Sequence, residues 1–552
     1  MKLFCFSSLE KVFLDGPVHG VEQPQGSCLL GEKYAIQIAF YVDKVNTPIQ
    51  LDLKTELQEQ INVYKVEHVP SELPNGEGHD QDIITGKPGL FPDVLQSSRL
   101  PVQFSRLKTD VWYSFWIEFE TANPKLSGTH DILFTLDYEN KYGKQITSRT
   151  FQLEVIAKKL PKSTIKHTEW IHTDCLMNYY QIEAFSDEYW ELVDKYISMA
   201  VVHSQNMMLT PIFTPPIDTN IGGERRTVQL VDIKKNSDEY EFDFTNLQKW
   251  SDICKKNNVQ YLEIIHLFTQ WGAKSTPKIE VTVDEEKVNF FGWETASASK
   301  EYILFLQQFI PSLIEWLKEN EWDNNVYFHI SDEPSIDDIE HYQEASNCVR
   351  KLVKGYPIID AMSDYYLYKK GLVDIPVVAN NQIRIFLDNK TSPLWTYYCG
   401  AHNYKVSNRF FDMPSYRNRI LGYQLFKYNI DGFLHWGYNF WNTQYSKKAI
   451  NPYEITDAEV SFPSGDSFVV YPGEKGPLPS LRLKVINEAF QDFRAMQAIE
   501  NIYGRNAVDE LIEKYLPNLS FDEYPKNQKY IFSIREHINK LIKDSMKTEC
   551  GK

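Results

Sequence analysis

Two adjacent carboxylates, Asp332 and Glu333, are the residues whose type and spacing most clearly indicate chemistry. They follow residues 326–330, whose β-branched and aromatic side chains predict a short buried strand. Pro334 disfavours further strand pairing, and Ser335 is typical of the residue that begins a helix. The pair therefore lies where a strand gives way to a helix. In a barrel of parallel strands, this junction belongs to the catalytic face.

A plainer interpretation of the same pair is an exposed loop before a helix, where negative charge is mildly favourable. The tripeptide Asp-Glu-Pro is too short to decide between the two interpretations by itself. The choice depends on which other side chains the sequence brings to the same face.

The composition is that of a globular protein with an acidic surface. The chain has 552 residues, too many for one ordinary core, and this length predicts two or three domains. Its formal net charge of −17 argues against nucleic acid or an anionic membrane as the main partner, because both attract basic surfaces. A neutral or cationic ligand fits better, and the aromatic content of 14% supplies rings beyond those that fill the core.

The sequence contains no segment that would direct the chain into a membrane. No run of about 18 apolar residues occurs, so we expect no membrane span. Residues 1–8 hold too few apolar side chains for a signal peptide, and the seven scattered cysteines include no CxxC pair. We therefore expect a cytoplasmic protein, or a secreted one whose leader has been removed.

The N-terminal part, residues 1–160, alternates apolar and polar side chains with a period of two. The clearest case is Val111, Tyr113, Phe115, Ile117 and Phe119. This pattern predicts strands with one buried face, and no helical pattern interrupts it. We expect an antiparallel β-sandwich domain, followed by a basic, proline-containing linker near residues 158–164.

After the linker, short apolar strands alternate with helical stretches. Strands are predicted at residues 168–174, 207–211, 260–268, 326–331, 357–363, 375–379, 394–399 and 432–437. Alternation of this kind favours parallel pairing, and eight units predict a (β/α)₈ TIM-like barrel over residues 165–503. The connections after the fifth and sixth strands are too short for full helices, so we expect irregularity there.

Helices are predicted to complete the chain, with residues 504–552 packed on the barrel. Two long insertions, residues 215–244 and 270–298, fall on loops of the catalytic face. The first contains a predicted hairpin, which could cover the site or meet a second copy of the chain. A homodimer is therefore one alternative for the assembly.

Polar and aromatic residues are concentrated at the predicted strand ends and in the loop after the eighth strand. The candidate substrate-binding residues are Trp271, Trp436, Tyr398, Asn380, His266, Asp174, Trp441, Asp466 and Tyr471. Such a mixture suits a sugar, because rings pack on its C–H face while amides and carboxylates bind its hydroxyls. Each ring alone is equally typical of a core, and it is their concentration that favours a binding site.

Other classes of site lack their sequence signals. No spacing of histidine, cysteine or acid residues indicates a zinc site, so we expect neither a metal nor a cofactor. The sequence also lacks a P-loop, a Rossmann fingerprint and a GxSxG nucleophile motif.

Paired carboxylates in an aromatic barrel mouth suggest glycoside hydrolysis. Acids that flank a sugar normally come from different strands, whereas neighbours such as Asp332 and Glu333 approach from one side. Substrate assistance fits this arrangement, with the 2-acetamido oxygen of an N-acetylhexosamine attacking its own anomeric carbon. Asp332 would bind the acetamido N–H and balance the charge of the oxazolinium. Glu333 would protonate the leaving oxygen and then deprotonate water.

Several longer segments resemble glycoside hydrolase family 123, the β-N-acetylgalactosaminidases. Besides Asp332-Glu333-Pro334, they are residues 227–231, 240–244, 266–273, 432–441, 465–466, 470–473 and 480–483. The resemblance covers most of residues 170–495. It implies a sandwich followed by a barrel, a substrate-assisted retaining mechanism, and catalytic roles for Asp332 and Glu333.

The function predicted from the sequence is removal of terminal β-linked N-acetylgalactosamine from glycans or glycolipids by an exo-acting enzyme. Within enzymes, the alternatives are a β-N-acetylglucosaminidase or a glycosidase with a separate nucleophile. Outside enzymes, the alternative is a non-catalytic glycan-binding protein, against which the presence of both Asp332 and Glu333 counts.

Overall fold

The N-terminal part of the chain forms two packed five-stranded sheets. The computed structural model describes residues 1–43, 48–105, 107–140 and 142–550. The strands of this part are β1 (Leu3–Ser7), β2 (Val12–Phe13), β3 (Gly16–Pro17), β4 (Gln25–Leu30), β5 (Lys33–Val42), β6 (Ile49–Lys54), β7 (Ile61–Ser71), β8 (Gly89–Ser98), β9 (Val102–Phe104), β10 (Val111–Glu120), β11 (Gly128–Asn140) and β12 (Gly143–Lys159). Two 3₁₀ helices, Gln58–Gln60 and Pro124–Leu126, connect them.

The sheets have the strand orders β1-β5-β10-β7-β8 and β4-β12-β11-β6-β9. Pairing within them is antiparallel except between β4 and β12. One core lies between the two sheets, where Ile38 and Phe115 of the first meet Phe134 and Leu153 of the second. The alternation in the sequence arises from this arrangement, and the predicted antiparallel, sheet-rich N-terminal region is confirmed.

The rest of the chain alternates strands and helices. Its strands are β13 (Lys166–Glu169), β14 (Met207–Thr210), β15 (Asp232–Asn236), β16 (Glu239–Asp243), β17 (Tyr261–Ile264), β18 (Ile279–Val283), β19 (Glu286–Phe291), β20 (Val326–Phe328), β21 (Ile359–Ala361), β22 (Ile375–Ala379), β23 (Trp395–Tyr397), β24 (Gly432–His435), β25 (Val470–Gly473) and β26 (Gly476–Pro479). Its helices are α1 (Thr173–Tyr180), α2 (Asp187–Val201), α3 (Thr245–Lys256), α4 (Lys300–Glu319), α5 (Ile339–Leu352), α6 (Tyr365–Lys369), α7 (Arg384–Asp388), α8 (Tyr416–Arg419), α9 (Leu421–Lys427), α10 (Leu481–Tyr503), α11 (Arg505–Tyr515) and α12 (Gln528–Cys550). The 3₁₀ helices here are Ile336–Asp338 and Gln444–Ser446.

Eight of these strands form a curled parallel arrangement and coincide with the eight predicted positions. They pair as β13-β24-β23-β22-β21 and as β14-β17-β20, and a single parallel bridge between Phe328 and Ile358 joins β20 to the strand that follows. The short helices α6 and α7 lie in the two connections expected to be irregular.

A fully paired (β/α)₈ barrel is not confirmed. Among the described residues, no strand ladder joins β13 to β14. One backbone hydrogen bond, from Asn206 N to the His167 carbonyl at 3.1 Å, and two side-chain amides link these segments instead. Asn206 Oδ1 accepts from His167 N at 2.8 Å, and Gln205 Oε1 accepts from Glu169 N at 3.2 Å. The α/β part is therefore a curled parallel sheet that is interrupted at this point.

Seven of the eight predicted strands end earlier than predicted, and two of them, the first and the third, end four or more residues earlier. The first stops at Glu169, and α1 already begins at Thr173, so Asp174 lies in the first turn of a helix. The third stops at Ile264, before His266. The residues beyond both strand ends are buried, which explains why hydrophobicity alone placed the boundaries too late.

The two insertions pair with each other. The predicted hairpin is formed by β15 and β16, and it joins β18 and β19 in a sheet with the order β16-β15-β18-β19. Tyr240 anchors this sheet on α4, because its hydroxyl donates to Glu301 at 2.7 Å and its backbone N–H donates to Gln308 at 2.9 Å. The hairpin strands thus pack on an outer helix.

A buried ion pair connects the two parts of the chain. Arg482, near the start of α10, donates to both carboxylate oxygens of Asp93 on β8 at 2.8–2.9 Å. Tyr471 donates to the same carboxylate at 2.6 Å. The last helix, α12, also contacts the N-terminal sheets through Arg535, which binds Glu32. None of the helices in the described ranges is long and apolar enough to cross a membrane.

Replacing Asp93 by alanine should destabilise the protein strongly, because Arg482 would remain buried without its partner. Loss of one partner of a buried pair costs about 3–5 kcal/mol, which urea denaturation would detect as a lower midpoint. Asp388→Ala is the matched control, since its pair with Arg384 is exposed. It should change the free energy of unfolding by less than about 0.5 kcal/mol. Equal effects of the two variants would contradict this account of the connection.

Candidate active site

A cavity of about 660 Å³ lies beyond the carboxyl ends of the parallel strands. Its lining comes from the ends of seven of the eight strands or from the loops after them, and from one loop of the N-terminal part. The lining residues are Leu73, Gly76, Glu77, Trp170, Ile217, Asp218, Gln270, Trp271, Asp332, Glu333, Ala361, Tyr397, Cys399, Gly400, Ala401, Asn403, Leu434, Trp436, Val460, Ser461, Phe462, Pro463 and Asp466. The volume is typical of sites for small ligands.

Asp332 and Glu333 both face this cavity from the turn after β20. Glu333 has a φ of 46°, a left-handed conformation that costs a residue with a side chain about 1–2 kcal/mol. Two hydrogen bonds hold the turn in place. The backbone N–H of Trp271 donates to the Asp332 carbonyl at 2.8 Å, and the Ser331 hydroxyl donates to the Thr269 carbonyl at 2.7 Å. This sharp turn allows two adjacent side chains to reach one ligand.

The two carboxyls of the turn have different surroundings. Burial, and then the negative charge of Glu333, hold the pKa of Asp332 well above its ordinary value, against the opposing effect of His329. Glu333 accepts a hydrogen bond from the Tyr397 hydroxyl at 2.5 Å. Burial, and then the charge of Glu333, raise the pKa of Tyr397, so this phenol remains a donor. Asp332 therefore takes up a proton more readily than an exposed aspartate would.

Trp271 forms the exposed edge of the cavity. It is 42% exposed, and its ring packs edge-on against Tyr445 with centroids 5.9 Å apart. The backbone of residues 271–273 is left-handed throughout. A side chain at Gly272 would come within 2.4 Å of Asp338, so glycine is required for this close approach. The loop thus presents an indole ring to a ligand from above the carboxyl pair.

Trp436 and Asp466 form another part of the wall. The Trp436 indole N–H donates to Asp466 Oδ2 at 3.2 Å. Burial raises the pKa of Asp466 to about 7, and Arg409 opposes this increase. Its other oxygen lies 3.5 Å from His435 Nε2 without a hydrogen bond. Of the nine predicted substrate-binding residues, Trp271, Trp436 and Asp466 are brought to the cavity with the carboxyl pair.

Three other predicted residues are buried and have their own partners. Asp174 pairs with the Arg225 guanidinium. The Trp441 indole donates to the Val470 carbonyl at 3.3 Å, and the Tyr471 hydroxyl donates to Asp93 as described above. None of the three is among the lining residues. Their polar atoms stabilise the packing of α1 and of the loop after β24.

The remaining three lie beneath the cavity rather than on its surface. Tyr398 is fully buried against Phe433 and His435. Asn380 donates to the Ser407 carbonyl at 2.8 Å. His266 is fully buried, and both its ring nitrogens are without a hydrogen-bond partner among the described residues.

The sequence interpretation did not assign several lining residues. Tyr397, which binds Glu333, lies in the same predicted strand as the candidate Tyr398 but is not among the candidate residues. Trp170, Asp218 and Gln270 also line the cavity. Burial raises the pKa of Asp218 to about 6, and its carboxylate accepts from Tyr445 N at 2.8 Å. A strand end was the available signal for Trp170 and Gln270.

The N-terminal part contributes Leu73, Gly76 and Glu77, for which the sequence contained no signal. Asp457 holds this loop, because its Oδ2 accepts from the backbone N–H groups of Glu72 and Leu73 at 2.9 Å. The cavity is therefore completed by a segment that precedes the α/β part by about a hundred residues in the sequence.

One buried group in the described chain has the composition of a metal site. Ligand atoms of His266, His329 and Asp360 lie within 4.8 Å of one another. However, both nitrogens of His329 are already hydrogen-bonded, to Glu263 at 2.6 Å and to Asp360 at 3.0 Å. This group is better described as a hydrogen-bonded ion cluster than as a set of vacant ligands.

Comparison with known proteins identifies related sequences and folds. The model of the glycoside hydrolase 123 catalytic domain matches residues 170–499. A family 123 glycoside hydrolase from Clostridium perfringens, studied for glycolipid glycan hydrolysis, has a similar structure, with a TM-score of 0.72 and 15% identity over 99% of this chain and 98% of that chain. No curated protein matches this sequence.

Two further solved structures are much less similar. A β-glucuronidase from Parabacteroides merdae matches with a TM-score of 0.30 and 9% identity over 84% of this chain and 49% of that chain. An endo-β-1,4-mannanase from Thermotoga petrophila matches with a TM-score of 0.34 and 12% identity over 61% and 77%. The family model, by contrast, spans more than half of the chain and includes the carboxyl pair. The chain therefore belongs to glycoside hydrolase family 123 and is a glycoside hydrolase.

Proposed function

We propose that the protein is a retaining, exo-acting β-N-acetylgalactosaminidase that removes terminal β-linked N-acetylgalactosamine from glycans or glycolipids. The observation that carries this proposal is the placement of Asp332 and Glu333 on one turn, facing one cavity. We also infer that the eight parallel strands act together as the frame of a (β/α)₈-type mouth.

Adjacent acids favour a nucleophile supplied by the substrate. When an enzyme carboxylate is the nucleophile, it usually faces the acid across the sugar at about 5–5.5 Å. Asp332 and Glu333 approach from the same turn, which leaves the opposite face of the anomeric carbon to the 2-acetamido oxygen. Attack by that oxygen forms an oxazolinium ion and expels the leaving group with retention after hydrolysis.

Substrate binding would favour the anion of Asp332, because an acetamido N–H donated to that carboxyl stabilises its charged form. The Tyr397 hydroxyl donates to Glu333 at 2.5 Å and holds this carboxyl in position. Glu333 is thereby ready to protonate the leaving oxygen, and its carboxylate later accepts a proton from water.

The rest of the cavity suits an amphipathic sugar. Trp271 and Trp436 offer apolar rings for a C–H face, and Asp466 offers a buried carboxylate for hydroxyl groups. Val460, 53% exposed at the rim, adds an apolar surface compatible with a lipid-linked substrate. Loops on several sides support a pocket for a terminal residue rather than an open cleft.

Two alternative enzymes differ from the proposed one, either in the sugar hydroxyl that they recognise or in the group that acts as nucleophile. A β-N-acetylglucosaminidase would use the same acids and differ in recognition of the 4-hydroxyl. A glycosidase with a separate nucleophile would need another carboxylate in the cavity, for which Glu77, Asp218 and Asp466 are the candidates. In that case the acetamido group would be dispensable.

Glu333→Gln should reduce hydrolysis of β-N-acetylgalactosaminides by about 10²–10⁴-fold, because general acid–base catalysis contributes that much. The loss in kcat should be largest for leaving groups of high pKa and smaller for 2,4-dinitrophenol, which departs without protonation. A thermal unfolding curve like that of the wild type would confirm that the variant is folded. Turnover of an alkyl glycoside at the wild-type rate would show that Glu333 is not the general acid.

Asp332→Asn should also lower kcat on N-acetylgalactosaminides, by about 10²–10³-fold, the usual effect of losing one preorganised electrostatic contact. The amide keeps the shape of the carboxylate but cannot balance the oxazolinium charge. Unlike the glutamate variant, it should lose activity equally on good and poor leaving groups. The exposed Asp388→Asn serves as a control and should retain full activity. A selective loss on poor leaving groups would instead identify Asp332 as the acid.

A further inference from the structure

His329 lies three residues before Asp332, between two buried carboxylates. Its Nε2 is 2.6 Å from Glu263 Oε1, and its Nδ1 is 3.0 Å from Asp360 Oδ1. All three side chains are fully buried. Glu263 comes from β17 and Asp360 from β21, so the imidazole connects the neighbouring strands on both sides of β20.

Asp360 also holds the backbone that leads into the catalytic turn. Its Oδ1 accepts from Ile330 N at 3.0 Å, and its Oδ2 accepts from Ser331 N at 3.3 Å. The Tyr342 hydroxyl of α5 donates to the same carboxylate. The group that binds His329 is thus the group that positions the residues immediately before Asp332.

Within this cluster, His329 is the residue that carries the positive charge. Burial alone would lower its pKa, but the hydrogen bonds and charges of Asp360 and Glu263 raise it to about 9. The neighbouring His266 ring has its centroid 4.2 Å away. Burial, and then the charge of His329, hold the pKa of His266 well below its ordinary value, so that ring stays neutral.

We propose that His329 is a positioning residue, which as an imidazolium clamped between Glu263 and Asp360 fixes the catalytic turn and offsets the negative charge of Asp332. The inference rests on the proposed function, in which Asp332 acts as an anion. Asp332 lies among other acids: Glu333 beside it and Asp360 below it both favour its neutral form. The groups that face His329 are Glu263, His266 and Asp360, with Tyr342 behind the last. Of these groups, His329 alone supplies a cation.

His329→Gln tests the proposal through the pH dependence of kcat/KM on an aryl β-N-acetylgalactosaminide. Glutamine can keep a hydrogen bond but carries no charge, so the anionic form of Asp332 should become less stable. The acid limb of the profile should move to higher pH by about one unit or more. At the wild-type optimum, kcat should fall more than KM changes.

His167→Gln is the matched control. His167 is equally buried on β13 and lies 3.3 Å from a carboxylate, that of Glu169, but it packs on Phe490 away from the turn. The acid limb of the pH profile of the His167→Gln variant should coincide with that of the wild type. A role for His329 in folding alone would lower the unfolding temperature of the His329 variant and leave its acid limb in place.

Glu263→Gln provides a second measurement if the first variant does not fold, because it removes one of the two carboxylates and keeps its shape. The limb should shift in the same direction by a smaller amount. A folded His329 or Glu263 variant with an unshifted acid limb would overturn the inference. Failure of the wild type to cleave the N-acetylgalactosaminide would contradict the proposed function instead, so the two failures are distinguishable.

Discussion

Repulsion between two adjacent carboxyls in a partly desolvated cavity is the constraint that the surrounding structure must satisfy. Burial and the charge of Glu333 both raise the pKa of Asp332, so ionising Asp332 beside Glu333 carries an electrostatic cost. The Tyr397 hydroxyl stabilises one of them, and the clamped His329 lies below the other. The left-handed backbone at Glu333 adds a further cost, which the hydrogen bonds from Trp271 and Ser331 offset. The turn is thus locally unfavourable, and the parallel strands and their side chains hold it in this conformation.

The frame that holds this turn extends beyond the parallel strands. Asp360 and Glu263 belong to the strands on either side of β20, and Trp271 follows β17. The N-terminal sheets also take part, because Asp457 ties their loop at Glu72 and Leu73 to the wall of the cavity. Arg482 and Asp93 hold the same two parts together in the interior. Stability of the interface and shape of the site therefore depend on the same packing.

The sequence was sufficient for those features that depend on local pattern. Each of the eight parallel strands coincides with an apolar run, and the acid pair follows directly from its position after one of them. Patterns could not choose between Tyr397 and Tyr398, because a strand of three residues does not define which side faces inward. The sequence predicts Asp174 and Tyr471 as substrate contacts, because it does not reveal that each has a buried partner. These partners, Arg225 and Asp93, are distant in the sequence. The break between β13 and β14 depends on the amides of Gln205 and Asn206, which no periodicity reveals.

In the proposed mechanism, the 2-acetamido oxygen of the substrate is the nucleophile. The direct test is to compare the rates of wild-type hydrolysis for one series of aryl β-N-acylgalactosaminides with acetyl, fluoroacetyl, difluoroacetyl and trifluoroacetyl groups. Fluorine withdraws electron density from the carbonyl oxygen, so the account predicts a steep fall in kcat/KM along the series and negligible cleavage of the matching β-galactoside. Equal rates across the series and on the galactoside would contradict substrate assistance and assign the nucleophile to a carboxylate of the cavity, Glu77, Asp218 or Asp466.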